Sequence, residues 1–130
     1  MSLDIRVRSS SSPDDEGLTL SFDDDGYYWF LHPLFERLRA ESGKYIDLYG
    51  DARFTRDDCP RLHALLTEAE LMARHQPQTW EVRVGTRIEP IRKNLYRTVN
   101  RAELLKLIAT FRAMIDAIEK LGGHLECIGD

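Results

Sequence analysis

Two carboxylates and a phenol lie close together in the sequence, at Asp47, Tyr49 and Asp51. Two carboxylates near a tyrosine can exchange protons with a substrate when burial pushes their pKa values apart. If these residues end a strand, they also occupy the place where α/β sheets bind ligands. The simpler interpretation, which we favour, is an outward polar strand face on which Asp51 turns the chain.

A second group of residues with potential chemistry is basic. Its members lie in and around the segment 85–94 and are Arg87, Arg92, Lys93, Tyr96, Arg97 and Arg101. Guanidinium groups suit carboxylates and phosphates, and the amides of a helix beginning near Asn100 would add to an anion site. Neither glycine-rich phosphate-binding motif is present, which argues against nucleotide binding. The alternative is a solvated loop that pairs with acids elsewhere in the chain.

Those acids are concentrated at the other end of the sequence. Residues 1–30 hold seven acids and two bases, whereas residues 83–106 hold seven bases and two acids. The two charged surfaces could pair within one molecule, pair between copies, or offer one face to a partner. This charge split is the feature of the chain that most favours an interaction function.

Four consecutive aromatic residues run from Tyr27 through Tyr28 and Trp29 to Phe30. One face of a helix or strand cannot bury four rings, so we expect Tyr27 or Tyr28 to lie near the surface or in an interface. Exposed aromatic rings often anchor partners. An equally weighted alternative is that all four rings cover an open sheet edge. His32 follows and could be a general base or ligand, although a solvated histidine is the simpler interpretation.

No metal or catalytic motif is present in the sequence. The acids Asp23–Asp25 before Gly26 suggest a calcium loop, but its twelfth position would be His32 instead of glutamate. The other histidines are scattered without a metal-ligand spacing. We therefore predict no metal, no cofactor and no catalytic residue.

The periodicity of the apolar residues predicts the elements that must position these groups. Alternation predicts strands at 3–8, 18–22, 44–49, 80–85, 95–99 and 124–128. Helical spacing predicts three helices. The first begins near Leu31, or near Tyr27 with a bend at Pro33. The second is capped by Asp57 or Asp58, and the third by Asn100.

This order favours an α+β fold in which residues 1–130 form a single compact domain. We expect a mixed β-sheet of four to six strands packed by three α-helices. The polar run 9–17 is expected to be a flexible loop.

Composition limits the partners and the compartment. A chain of 130 residues fits one domain, and its net charge of −4 disfavours binding to nucleic acid. No apolar run reaches the roughly 20 residues of a membrane span, and the first residues lack a secretory signal. Cys59 and Cys127 match no zinc or redox spacing. We therefore expect a cytoplasmic protein with two buried or half-buried thiols.

Several segments resemble a small bacterial protein family of uncharacterised function. They are 46–51 (IDLYGD), 80–86 (WEVRVGT), 101–105 (RAELL) and 126–130 (ECIGD). The likeness spans most of residues 26–130 and implies a bacterial source, while it transfers no catalytic residue. The small acidic α+β profile is also similar to that of many toxin-immunity proteins.

Two function classes follow from these patterns. The first is a non-enzymatic module that binds a protein, or a second copy in a homo-oligomer, through Tyr27, Tyr28, Trp29, Arg87, Arg92, Lys93 and Arg97. The second is an anionic-ligand domain or enzyme with a pocket formed by His32, Asp47, Tyr49, Asp51 and Arg101. The absence of a catalytic motif favours the first.

Overall fold

The computed structural model describes residues 2–8, 19–87 and 93–129. The expected flexible loop at 9–17 and the predicted partner residue Arg92 lie outside these ranges. In chain order the elements are β1 (Ser2–Arg8), β2 (Thr19–Asp23), α1 (Gly26–Ser42), β3 (Asp51–Phe54), a 3-10 turn (Arg56–Asp58), α2 (Cys59–Arg74), β4 (Thr79–Arg87), β5 (Lys93–Asn100), α3 (Arg101–Leu121) and β6 (His124–Gly129).

Four strands form the main sheet, in the order β2-β1-β6-β3. Each neighbouring pair is antiparallel, and the pairing sets Leu3 opposite Phe22 and Ile5 opposite Cys127. These apolar side chains are buried. One face of the sheet therefore forms a side of the hydrophobic core, which α1, α2 and α3 complete.

Residues next to each other in the sequence determine where α1 and α3 begin and where α1 ends. The Asp25 carboxylate accepts hydrogen bonds from the amides of Tyr27 and Tyr28, at 3.0 and 3.4 Å, and so begins α1. Gly43 ends this helix with φ of 77°, a conformation that glycine adopts without strain. The start near Tyr27 is the correct one of the two predicted, and Pro33 lies inside the helix. Asn100 caps α3 as predicted.

The predicted strand at 44–49 is wrong. Ile46 and Leu48 are buried as its alternation required, but the segment pairs with no described strand. The Tyr28 hydroxyl instead donates a hydrogen bond to the Ile46 carbonyl, at 2.8 Å. The Tyr49 amide donates to the Asp47 carboxylate at 3.1 Å, which closes a turn. The strand follows this turn, as β3.

The predicted α+β class with three helices is confirmed. The sheet arrangement differs from the expectation, because the six described strands form two sheets in which every pairing is antiparallel. The second sheet is the β4–β5 hairpin, which has an irregular register between Arg83 and Gly85. None of the three described helices combines the length and apolar character needed to cross a membrane.

Candidate functional site

The β4–β5 hairpin carries an exposed polar and aromatic face. Its register sets Glu81 opposite Thr98 and Arg83 opposite Tyr96. Because paired residues of an antiparallel ladder lie on the same face, these four side chains share one side of the hairpin. All four are exposed, and Tyr96 exposes 48% of its surface. We call this set, Glu81, Arg83, Tyr96 and Thr98, the hairpin surface.

The opposite face of the hairpin is fixed to α1. The Phe30 and Trp80 rings meet edge to face, with their centroids 5.3 Å apart. The Asn100 amide donates a hydrogen bond to the Tyr27 hydroxyl at 3.2 Å. Gly26 also lies against Val99 so closely that a Cβ on it would be 2.5 Å from Val99 Cγ2. The face of the hairpin behind the hairpin surface is therefore packed against α1.

Arg101 closes the base of the hairpin. Its amide donates to the Gln78 carbonyl, and its guanidinium donates to the Gln76 carbonyl, both at 2.9 Å. The side chain is half-buried. The structure therefore gives this predicted ligand residue a role in joining α2, β4 and α3.

The other predicted basic residues have different positions along the hairpin. Arg97 is exposed, and its guanidinium donates to the carbonyl of the adjacent Tyr96 at 3.0 Å. Arg87 and Lys93 are opposite each other in the backbone register, at the end of the ladder far from α3. The hairpin is thus basic at described positions on both of its strands.

Two of the acids in residues 1–30, Asp4 and Asp24, interact with other residues of that same segment. Asp4 lies 4.0 Å from Arg6 and accepts a hydrogen bond from Ser21. Asp24 accepts one from the Trp29 indole, at 2.6 Å. Among the side chains that the structure describes, no ion pair joins these acids to Arg83, Arg97 or Arg101. The described residues therefore give no support to charge pairing within one molecule.

The aromatic run divides between core and surface. Tyr28 is only 1% exposed and packs against Phe22 and Phe35. This corrects its assignment as a surface anchor: a ring three positions before Leu31 on α1 points into the core. Tyr27 and Trp29 are half-buried and pack against that core.

His32 is the centre of a compact polar network. Its Nε2 lies 2.7 Å from the Tyr45 hydroxyl and 3.2 Å from Glu36 Oε1. Burial, assisted by the charge of Glu36, raises the pKa of Tyr45. The phenol therefore stays protonated at neutral pH. Sequence reasoning found His32 but missed Glu36, although the two are four apart on one helix face.

The predicted group Asp47, Tyr49 and Asp51 does not share one strand face. Asp47 holds the turn already described, Tyr49 is 56% exposed, and Asp51 accepts a hydrogen bond from the Gly129 amide at 3.2 Å. In the part of the chain that the structure describes, no hydrogen bond connects them to Arg97 or Arg101. Their roles are those of a turn and a strand start.

Both cysteines are buried and free, as the sequence predicted. Burial raises the pKa of the Cys127 thiol to about 12. Burial and the nearby Glu119 also raise the pKa of Cys59. Because the thiolate is the reactive form, neither residue has the environment of a nucleophile.

One cluster escaped sequence reasoning altogether. His63 Nε2 lies 2.8 Å from Glu119 Oε1 and 3.5 Å from Asp116 Oδ1. The two acids are three residues apart on α3, which places them on one face, but the sequence does not show that α2 brings His63 to them.

Comparison with known proteins identified no relative of this chain. No family model, curated protein or solved structure matches this chain. The resemblance to a bacterial family stays a prediction. The geometry of the hairpin surface and of the side-chain clusters is therefore what supports a function.

Proposed function

We propose that this protein is a non-enzymatic protein-binding domain whose hairpin surface docks on an acidic patch of a partner protein. The observation that carries the proposal is the exposed Tyr96 directly across the ladder from the exposed Arg83. Tyrosine and arginine are among the residues that contribute most to protein interfaces. Because α1 supports the other face of the hairpin, binding would cost little ordering of the backbone.

Charge selects the class of partner. Arg83 lies on the hairpin surface with Glu81, whereas Arg97 pairs with Val82 on the opposite face of the ladder, and Arg87 and Lys93 continue the basic character in sequence. Complementary charge speeds association and selects among partners more than it adds affinity. The net charge of −4 disfavours nucleic acid, so an acidic protein surface suits the hairpin best.

A second copy of the chain is one such acidic partner. Asp23 and Asp24 are exposed and lie just before α1. A head-to-tail contact between this turn and the hairpin of another copy would give a homo-oligomer. We place the protein in the bacterial cytoplasm, where a role like that of an immunity or regulatory protein would suit it, and its two free thiols suit a reducing compartment.

The test is affinity capture from bacterial lysate with four baits: the wild type, Tyr96→Ala, Arg83→Glu and Tyr49→Ala. Tyr49 is a matched control because it is a tyrosine of similar exposure that lies outside the hairpin. Sedimentation velocity of each purified bait measures association between copies. We expect the first two variants to weaken the specific contact by about tenfold or more, with the Tyr49 variant unchanged.

Salt and small anions separate the alternatives. A stoichiometric complex that weakens as salt rises, and that depends on Tyr96 and Arg83, supports the proposal. The same captured set with all four baits would contradict it, as would a monomeric bait recovered alone. In that second case, thermal stabilisation by citrate or phosphate would favour the anionic-ligand alternative instead.

A further inference from the structure

A histidine and two carboxylates converge between α2 and α3, on a surface separate from the hairpin. His63 lies on α2, one turn after Cys59, while Asp116 and Glu119 lie one turn apart on α3. The three ligand atoms all lie within 4.8 Å of one another. The His63 Nε2 to Glu119 Oε1 distance is 2.8 Å, and the distance to Asp116 Oδ1 is 3.5 Å.

These distances are close to those around a bound metal ion. Bonds of about 2.0–2.1 Å in a tetrahedral zinc site separate neighbouring ligand atoms by about 3.3 Å. The side chains of His63, Asp116 and Glu119 are 27%, 49% and 41% exposed, so small rotations can bring all three to that separation. The same exposure leaves room for water at a fourth position.

The local charge also favours a cation. Asp116 and Glu119 are acids near the C-terminal end of α3, where the helix dipole is already negative. Among the described residues, the only ionic partner of either acid is His63. A divalent ion would relieve the repulsion between the two carboxylates and neutralise the site.

We propose that His63, Asp116 and Glu119 bind a first-row divalent transition-metal ion, for which Zn²⁺ is the best-fitting candidate. Imidazole together with carboxylates suits zinc, cobalt or nickel, whereas calcium and magnesium prefer oxygen ligands alone. The bound ion joins α2 to α3 through side chains that a simple ion pair holds only loosely. It is a site with three protein ligands and an open position.

The test uses the tag-free protein, so that a purification histidine tag contributes no ligand. Thermal unfolding is followed with and without Zn²⁺ for the wild type, His63→Ala and His75→Ala. His75 is the matched control, because it is an exposed histidine at the end of the same helix. At a free Zn²⁺ concentration about a hundred times Kd, we expect the Tm of the wild type and the His75 variant to rise by about 5–10 °C, and that of the His63 variant to stay unchanged.

Cobalt supplies a readout that does not depend on stability. Co²⁺ bound by nitrogen and oxygen ligands absorbs visible light, so a titration reports both affinity and geometry. Glu119→Gln keeps the size of the side chain, and we expect it to weaken Co²⁺ binding by about a hundredfold or more. Equal metal responses in the wild type, His63→Ala and Glu119→Gln would overturn the proposal, as would the absence of any response in the wild type.

Discussion

At the scale of single residues, the Tyr28 hydroxyl carries a buried hydrogen bond that fixes a segment without regular structure. It donates to the Ile46 carbonyl at 2.8 Å from a side chain that is 1% exposed. Burial raises the pKa of this phenol well above its ordinary range, so the hydroxyl keeps its proton at neutral pH. Among the described residues, Tyr28 is the donor recorded for the Ile46 carbonyl.

We expect Tyr28→Phe to destabilise the protein by about 1–2 kcal/mol, because the change leaves a buried carbonyl unsatisfied and removes little volume. Urea unfolding of the two proteins measures the difference. Tyr96→Phe is the control, since its hydroxyl is exposed and should change stability by less than about 0.5 kcal/mol. Equal losses in both variants would show that the Ile46 contact contributes nothing specific.

The role of a residue could be predicted from the sequence where its hydrogen-bond partner lies only a few residues away. Asn100 caps α3 as predicted because the amide it satisfies lies three residues away, whereas Asp58 stands at the start of α2 without a side-chain cap hydrogen bond to that helix. Prediction failed where the partner is distant in sequence. Tyr28 meets Ile46 eighteen residues away, and His63 meets Glu119 only because α2 packs on α3. No spacing rule within a single element shows such contacts.

At the scale of elements, Asp58 links the turn before α2 to the end of α1. Its carboxylate accepts from Lys44 Nζ at 2.5 Å and from the Thr55 amide at 2.8 Å. Burial alone would raise the pKa of this carboxyl, but the Lys44 and Thr55 hydrogen bonds outweigh it and lower the pKa below the ordinary 3.8. The stabilisation therefore exists above pH 3.8 and is lost as the pH falls through the lower folded-state pKa.

We expect Asp58→Asn to cost about 1 kcal/mol at neutral pH, because the neutral amide binds both donors less well. The difference from the wild type should shrink in acid, once Asp58 itself is protonated. Chemical denaturation at a series of pH values measures this convergence. Asp57→Asn is the matched control, since Asp57 is the exposed neighbour. A difference from wild type that is constant down to strongly acidic pH would contradict the role of the charge.

The strand predicted at 44–49 shows why element type is harder to predict than burial. Alternation correctly identified Ile46 and Leu48 as buried, but it does not show what satisfies the backbone. Here the Tyr28 hydroxyl and the Asp47 carboxylate supply hydrogen bonds that a neighbouring strand would otherwise provide. The alternating pattern thus predicted which side chains are buried. It did not predict the hydrogen bond from Tyr28, which takes the place of pairing with a neighbouring strand.

At the scale of the whole molecule, α1 is the joint between the main sheet and the hairpin. One side of this helix contacts β2, and its start contacts β4 and β5. The contact is closest at Gly26, where a Cβ would lie 2.5 Å from Val99 Cγ2 and 3.2 Å from the Arg97 carbonyl oxygen. In the sequence Gly26 indicates only the end of an acidic turn, so the need for a residue without a side chain becomes clear only from the packing.

Gly26→Ala should loosen this joint. Helix propensity favours alanine by up to about 1 kcal/mol, but forcing a methyl group against Val99 costs about 1–3 kcal/mol, so we expect a net loss. Hydrogen exchange should then rise at the Val99 and Asn100 amides while β1 and β6 stay protected, because their pairing does not involve the hairpin. Gly85→Ala is the control, since a Cβ there meets nothing within 4 Å and Gly85 has no positive φ. If Gly26→Ala and Gly85→Ala give the same exchange pattern, the Gly26–Val99 contact does not hold the hairpin on α1. The proposal that α1 keeps the hairpin surface ordered for binding would then be contradicted.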